Sequence, residues 1–360
     1  MPLDERTRIR STIPRTGPAS GFAPLLNRVR DAGLLRRSQV FYLSLLTTLV
    51  LALGGAIAGF VLLGDSWFQL LIAGALGVIF TQFAFLGHEA SHRQVFTSGK
   101  ANDALGRALA SGVVGLSYSW WMNKHTRHHG NPNVVGKDPD LEVDTVSFVD
   151  TDAAAARGAR ALLTRHQGKL FFPLLAFEGL NLHVKSFLHA FGPGKVDNRR
   201  LEIGLLVLRM AVVVGAVFLV LPLGMAFAFL GVQLVVFGAY MGLSFAPNHI
   251  GMTMFALDAK PDFLRKQVLS SRNIRGGWGI TLLMGGLNHQ VEHHLFPSMA
   301  RPHLFAARAM VRDACAREGI AYTETTLAEA YRVVIRYMKT VGHSAPRVFE
   351  CPVVFQYGRI

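Results

Sequence analysis

WFQLLIAGALGVIFTQFAFLGHEASH, positions 67–92, joins an apolar run to a pair of histidines four residues apart. From Trp67 to Leu86 there is no charge, and roughly 20 such residues suffice to cross a bilayer as a helix. If the helix continues, His88 and His92 share one of its faces, close enough for one cation to bridge them. Two further clusters repeat the theme: His125-Thr-Arg-His128-His129 and His289-Gln290-Val-Glu292-His293-His294. Eight of the chain's 14 histidines lie in these three clusters. Imidazole at helical spacing is the commonest protein donor for borderline transition metals.

Three more apolar segments accompany the first. Val40–Leu63 and Leu223–Ala246 are uncharged, and Ile203–Leu221 carries only Arg209. With 51% hydrophobic residues in 360 and a mean hydropathy of +0.32, the chain is too apolar for an ordinary soluble domain. Gly64-Asp65-Ser66 and Leu221-Pro222-Leu223-Gly224 turn the segments into two hairpins, and neither turn holds Lys or Arg. The positive-inside rule then places both termini, and everything between the hairpins, in the cytoplasm. Arg209, about two turns into its span, is expected to snorkel to the interface. The formal charge of +14 fits this bias, together with attraction to anionic lipid or to an acidic partner. No nucleic-acid reading motif accompanies it.

Residues 1–37 are basic and broken by Pro2, Pro14, Pro18 and Pro24, which reads as a partly disordered juxtamembrane segment. Residues 38–300 form the membrane unit. Residues 301–360 form a cytoplasmic helical tail of the same unit, whose last helix opens on the capping box Thr326-Leu-Ala-Glu329. Asn102–Trp121 is apolar, but its flanking clusters must share one side of the membrane, so an interfacial or re-entrant helix is expected there. Leu170–Phe191 reads as an amphipathic helix on the membrane surface. Cys315 and Cys351 form no pair motif and are expected as free thiols. The expected architecture is an all-α integral membrane protein. It has four transmembrane helices in two hairpins, interfacial helices, and a cytoplasmic helical cap carrying a histidine-ligated dimetal site.

Neighbouring residues on a helix point about 100° apart, so His128 and His129 can serve two different ions, as can His293 and His294. Candidate ligands are therefore His88, His92, His125, His128, His129, His293 and His294, with Gln290 at the position His125 holds in its own cluster. His249 ends the fourth apolar segment at the same depth and joins them. Asn248 beside it could hold a metal-bound water. The donors are almost all neutral, unlike those of the carboxylate-bridged di-iron bundles. Glu89, Glu292, Asp138 and Asp140 are expected to accept the outer imidazole N–H of the ligands, and His289 is expected beside the ligands rather than among them. His166, His183, His189, His303 and His343 read as surface or interfacial. Lys124, Arg127, Lys185, Arg199 and Arg200 could bind an acidic head group; ordinary positive-inside charge is the competing reading.

HEASH, HTRHH and QVEHH together resemble the three histidine boxes of the membrane fatty acid desaturases. His294-Leu-Phe-Pro297 and Asp138-Pro-Asp140 are similar to that family's continuations, and the likeness runs from about Val40 to Pro302. A glutamine opening the third box is similar to the front-end and bacterial acyl-CoA branches. The resemblance implies two iron ions and O₂ as co-substrate. Because the lead carries no HPGG haem motif, it also implies a separate electron donor of ferredoxin, cytochrome or flavin reductase type. No bound flavin, haem or nicotinamide is expected. The implied reaction is O₂-dependent removal of two hydrogens from adjacent methylenes of a fatty acyl chain, carried by CoA or by lipid, in a bacterial cell membrane. Unactivated C–H bonds offer a general base nothing to abstract, so a redox metal must carry the chemistry while the protein positions the chain. A related hydroxylase or ketolase would share the boxes, and product analysis separates it. A histidine-rich metal transporter would need ligands near mid-membrane, which these spans nearly lack. A haem-binding anchor would show a Soret band.

Overall fold

The computed structural model describes residues 21–346. Four helices are long and apolar enough to cross a membrane: Gln39–Leu63, Gln69–Ser91, Arg199–Val220 and Leu223–His249, the first to fourth spans. The second and fourth run on past their apolar stretches, so that His88 and His249 stand on the spans themselves. These two also form the centre of the bundle, packed on one another. A Cβ on Gly77 would lie 2.9 Å from the Gln233 carbonyl oxygen, so the two backbones meet without a side chain between them. The first and third spans are outer helices. They leave Leu51, Val61 and Leu62, and Leu208, Val212 and Leu219, exposed where lipid replaces water as solvent.

Asn102–Trp121 is not one helix. Helix Gly99–Arg107 continues as a π-helical turn, Ala108–Val114, and stops at Gly115, whose φ of +94° only glycine adopts readily. The chain restarts as helix Tyr118–Gly130, with the Ser117 hydroxyl accepting from the Trp120 amide at 3.0 Å. Glu202 of the third span ties the break down. It accepts from Arg107 at 2.9 Å and from the Ser119 hydroxyl at 2.8 Å. Arg209 corrects the snorkelling expectation. It is buried, its Nε donates to the Val113 carbonyl at 3.2 Å, and its guanidinium lies over the Phe80 ring. A carbonyl at the end of the π-helical turn supplies inside the protein what the interface would otherwise supply.

Leu170–Phe191 is likewise divided. Helix Gly158–Leu174 ends one residue after Pro173, a 3₁₀ turn spans Leu175–Phe177, and helix Glu178–Phe191 follows. The last lies directly on the fourth span, where a Cβ on Gly238 would strike the Gly179 backbone. His183 is buried in this contact, with Nδ1 on the Gly179 carbonyl at 2.7 Å, and is not a surface residue.

The cap is helical as expected. Helices Arg301–Arg317 and Leu327–His343 close it, and the Thr326 hydroxyl accepts from the Glu329 amide at 3.2 Å. Helix Phe22–Asp31 falls in the segment read as partly disordered. Leu25 and Val29 are buried in one cluster with Leu304, Val311 and Ala314, which gives that turn of sequence its reason to fold. Cys315 is buried and free; Cys351 lies outside the described residues. The strands among the described residues are one two-residue parallel pair, Asn273–Ile274 with Glu324–Thr325.

Candidate metal centre

Four elements deliver the imidazoles to one place: the end of the second span, helix Tyr118–Gly130, the end of the fourth span, and the short helix Gln290–Leu295. There they separate into two groups. Nitrogens of His88, His92, His125, His129 and His293 lie within 4.8 Å of one another, and so do nitrogens of His128, His249 and His294. Each HH doublet is divided between the groups, as the 100° step along a helix requires. The groups adjoin: the His129 and His294 rings stack with centroids 4.3 Å apart.

Both groups aim Nε2 inward. In the larger, His125 Nε2 lies 2.9 Å from that of His88 and 2.7 Å from that of His92, and the His129–His293 pair stands at 3.2 Å. In the smaller, His128 and His249 meet at 3.3 Å, and His294 Nε2 is buried with no partner. Such spacing suits nitrogens gathered about one cation with bonds of about 2 Å. Burial, followed by the neighbouring imidazoles, holds His125, His129, His293 and His294 well below the usual histidine range. The rings are thus neutral and keep their lone pairs for a metal. His128 differs. Burial lowers it, but the carboxylates of Asp140 and Asp138 outweigh burial and leave it raised. The donor set fits two ions of borderline softness.

The outer nitrogens are where the expected supports are tested. His128 Nδ1 is 3.0 Å from both oxygens of Asp138 and 3.3 Å from Asp140, so both aspartates lie at an outer imidazole nitrogen. Glu89 and Glu292 do not. Glu89 receives Arg301 through two bonds, Nε at 2.7 Å and a terminal nitrogen at 2.6 Å, and lies 3.3 Å from the Tyr42 hydroxyl. Glu292 accepts from Asn273 at 2.7 Å and Tyr322 at 2.8 Å, and burial pushes its carboxyl up to about 7. Both carboxylates point away from the imidazoles, because each sits one or more positions round the helix from a histidine that faces inward. The acceptors that do serve are a backbone and an amide: Ser270 O for His249 and Gln267 Oε1 for His294, each at 2.9 Å.

Gln290 borders the smaller group, its amide 2.8 Å from His249 Nε2. Asn248 is buried and donates to Ser244 O and Gln290, while its Oδ1 has no partner among the described residues. His289 joins neither group; both ring nitrogens are unpartnered and it packs on Phe305.

A cavity of about 810 Å³ reaches the centre, within the usual range for ligand sites. Its walls are mostly apolar, including Trp121, Phe171, Leu175, Met241 and Phe245, and His125, His128, His249 and Gln290 line it. Lys124, Arg127 and Lys185 also line it; Arg199 and Arg200 do not. Arg199 instead donates to carbonyls closing helix Glu178–Phe191, among them Ala190 at 3.3 Å, and Arg200 is exposed. Sequence reasoning missed Arg301, Tyr42, Asn273, Tyr322 and Gln267. The Arg–Pro pair just after the third box is the nearest signal for the first of them.

Residues 65–326 match the family model described as fatty acid desaturase. An acyl-lipid (9-3)-desaturase of Physcomitrium patens is 28% identical over 323 residues, covering 87% of this chain and 61% of the relative's own length. A Delta(8)-fatty-acid desaturase of Helianthus annuus is 24% identical over 347 residues, 90% of this chain and 73% of the relative. A Delta(5) fatty acid desaturase of Caenorhabditis elegans is 27% identical over 341 residues, 91% and 75% respectively. The family match takes in both histidine groups, the cavity lining except Tyr337, and all but the first span, and this chain belongs to the fatty acid desaturase family.

Proposed function

We propose that the protein is an O₂-dependent fatty acyl desaturase. It would remove two hydrogens from adjacent methylenes of an acyl chain held in the cavity, with the chain carried by CoA or by a lipid. The observation that carries this reading is the opening of an apolar cavity of about 810 Å³ onto two adjoining groups of inward-facing imidazoles. His88, His92, His125, His129 and His293 would hold one iron, and His128, His249 and His294 the other, with Gln290 and Asn248 beside it. Two irons, when bound, would supply the redox chemistry by which O₂ oxidises unactivated C–H bonds. The chain's own residues bind and orient. Trp121, Met241 and Phe245 line the path of the acyl segment, and their apolar surfaces exclude water from the reacting carbons. Asp138, Ser270 and Gln267 hold three Nδ1 protons outward and so keep Nε2 free.

Both hairpin turns lie at the opposite ends of the spans from the histidines, and the basic residues gather at the histidine end. We infer that this end, with both termini, faces the cytoplasm. A bacterial cell membrane as the setting rests on the likeness of the third box alone; the relatives named above come from a plant, an animal and Physcomitrium. Electrons would come from a separate donor of ferredoxin, cytochrome or flavin reductase type. Expression with such a donor, followed by mass spectrometry of total fatty acids, tests the reading. New double bonds are expected with the wild type and none with His128→Ala. Identical profiles in both would overturn it, and a hydroxylated product would assign the protein to the related hydroxylases instead.

A further inference from the structure

The third span, Arg199–Val220, carries none of the grouped histidines, and none of its residues lines the cavity. Two of its four buried residues are nevertheless charged, Glu202 and Arg209. They stand seven positions apart, about two turns, and so share a face. That face meets the break between helices Gly99–Arg107 and Tyr118–Gly130. There one helix ends and the next begins, so unpaired carbonyls and unpaired amides come together. Arg209 sits on the carbonyl side, donating to Val113 O at 3.2 Å, and buried His183 stands 3.3 Å from Val114 O. Glu202 sits on the amide side and is fully buried. Its Oε1 accepts from the Ser119 amide at 3.1 Å and from the Ser117 hydroxyl; its Oε2 accepts from the Ser119 hydroxyl at 2.8 Å and from Arg107 at 2.9 Å. The cation thus faces the negative end of one helix, and the anion the positive end of the next. A slide of the span by one turn, about 5.4 Å, would take both charges off their partners.

Helix Tyr118–Gly130 depends on that anchor. Its buried residues are Tyr118, His125 and His128. Two of the three are candidate ligands, so apolar packing does little to fix the helix along its axis. Polar ties hold its ends instead. Lys266 and Gln267 donate to the Gly130 and His129 carbonyls at 2.6 and 2.9 Å, and Glu202 holds the first turn. The helix carries His125, His128 and His129. It also carries Trp121, which lines the cavity and stacks on His125 with centroids 4.5 Å apart. Ser119 and His125 are six residues apart, about 9 Å of helix. An axial shift at Ser119 therefore reaches a ligand and the cavity wall together. A misplacement of about 1 Å can cost about a hundredfold in rate.

We propose that Glu202 is a positioning residue for the reaction. Through Ser117 and Ser119 it sets where helix Tyr118–Gly130 stands along its axis, and so which pair of methylenes lies before the histidine groups; Arg209 holds the other side of the break. This rests on the desaturase reading and deepens it. The test uses the full chain in lipid vesicles with its metal bound, as wild type, Glu202→Asp, Ser119→Ala and Val217→Ala. Amide hydrogen exchange over residues 117–130 is followed without turnover. Double-bond position is then read by mass spectrometry after ozonolysis, with O₂ and an electron donor supplied. Glu202→Asp keeps the charge but withdraws it by one methylene. Exchange in the first turn of the helix should quicken about tenfold or more, the scale of a weakened bond to a charged acceptor. Double bonds should appear at neighbouring positions beside the wild-type one. Ser119→Ala keeps the carboxylate and removes one of its ties, so it should move both readings the same way and less; it carries the test if Glu202→Asp does not fold. Val217 is buried at the far end of the same span, and Val217→Ala should leave the isomer pattern unchanged even as it lowers stability. Unchanged double-bond positions in Glu202→Asp and Ser119→Ala, whatever the exchange, or an equal change in Val217→Ala, would overturn the proposal and leave the desaturase reading intact. If even the wild type makes no double bond, the desaturase reading fails and exchange decides alone: quickening confined to residues 117–130 supports the anchor, and none overturns it.

Discussion

The two histidine groups face different parts of the molecule and are held in place by different means. In the three-histidine group every outer nitrogen has its own acceptor: Asp138 for His128, Ser270 O for His249, Gln267 for His294. Two of its members, His128 and His249, line the cavity beside Gln290. In the five-histidine group the outer nitrogens of His88 and His129 are buried without a partner, and only His125 lines the cavity. Here ring orientation comes from crowding: the His88, His92 and His125 centroids all lie 4.7–4.8 Å apart. One site is supported residue by residue and opens to the cavity. The other has five histidines and meets the cavity through His125 alone. The difference suggests that the chemistry is sensitive to the first and that metal retention is shared unequally between them.

Removing one ligand from each group breaks or sharpens that contrast most directly. His128→Ala leaves two histidines and an uncompensated Asp138. Loss of unsaturated product to under about a hundredth of wild type is expected, beyond the 10–100-fold typical of losing a supporting residue. His92→Ala leaves four histidines, and both more iron and more product should remain than in His128→Ala. Iron content per protein, measured on the same samples as fatty acid profiles, checks this. A larger loss in His92→Ala would reverse the assignment of roles.

The five-histidine group has support of another kind, from beneath. Arg301 and Glu89 form a fully buried, doubly bonded pair, and Tyr42 joins it by accepting from the Arg301 amide at 3.0 Å and donating to Gln94 at 2.6 Å. The first span, the end of the second and the chain after the third box are fastened together there. Arg301→Met strands the Glu89 carboxylate and should cost about 3–5 kcal/mol in unfolding experiments. The double change Glu89→Gln/Arg301→Met should cost less than Arg301→Met alone, because no buried charge is left unpaired. A double variant less stable than the single one would mean that Glu89 stabilises the fold without Arg301, through contacts such as the Tyr42 hydroxyl, and would overturn the stranded-charge account.

These supports mark the limit of what the sequence discloses. The four spans were readable because charge-free runs of about 20 residues have few other uses. The boxes were readable because imidazoles three and four apart share a face. Neither rule says which way a carboxylate inside a box will point. Glu89 and Glu292 sit between ligands in the sequence, yet their partners, Arg301 and Tyr322, lie 212 and 30 residues away. Arg209 shows the same limit. Snorkelling is the default for an arginine in a span, and it was displaced by one carbonyl at the end of a π-helical turn that hydropathy does not register. Asp138 was readable because it follows its box within ten residues and caps its own turn, accepting from the Asp140 amide at 2.9 Å.

Asp138 also gives the third test. Asp138→Asn keeps the shape but removes one of the two charges beside His128, leaving Asp140 at 3.3 Å, so the ring loses part of its basicity and fixed orientation. A fall of about 10–100-fold in iron affinity or in rate is expected. It should appear in the three-histidine group first, read as loss of one of two irons on titration with a chelator. Simultaneous release of both would show that the groups do not hold metal independently.

The smallest effect is expected at Gln267, and it bears on the same independence. Its Oε1 accepts from His294 of the three-histidine group at 2.9 Å, and its Nε2 donates at 2.9 Å to the backbone carbonyl of His129, a member of the other. A neutral amide acceptor contributes about 0.5–1.5 kcal/mol net, so Gln267→Met should slow product formation by only a few-fold. If Gln267 serves merely to orient His294, iron should weaken in the three-histidine group alone. If it couples the groups, the chelator curve should shift for both irons although only one ligand has lost a hydrogen bond. His129 and His294 stack at 4.3 Å, so a change in the tilt of one ring is passed to the other by contact, and that geometry favours the second outcome.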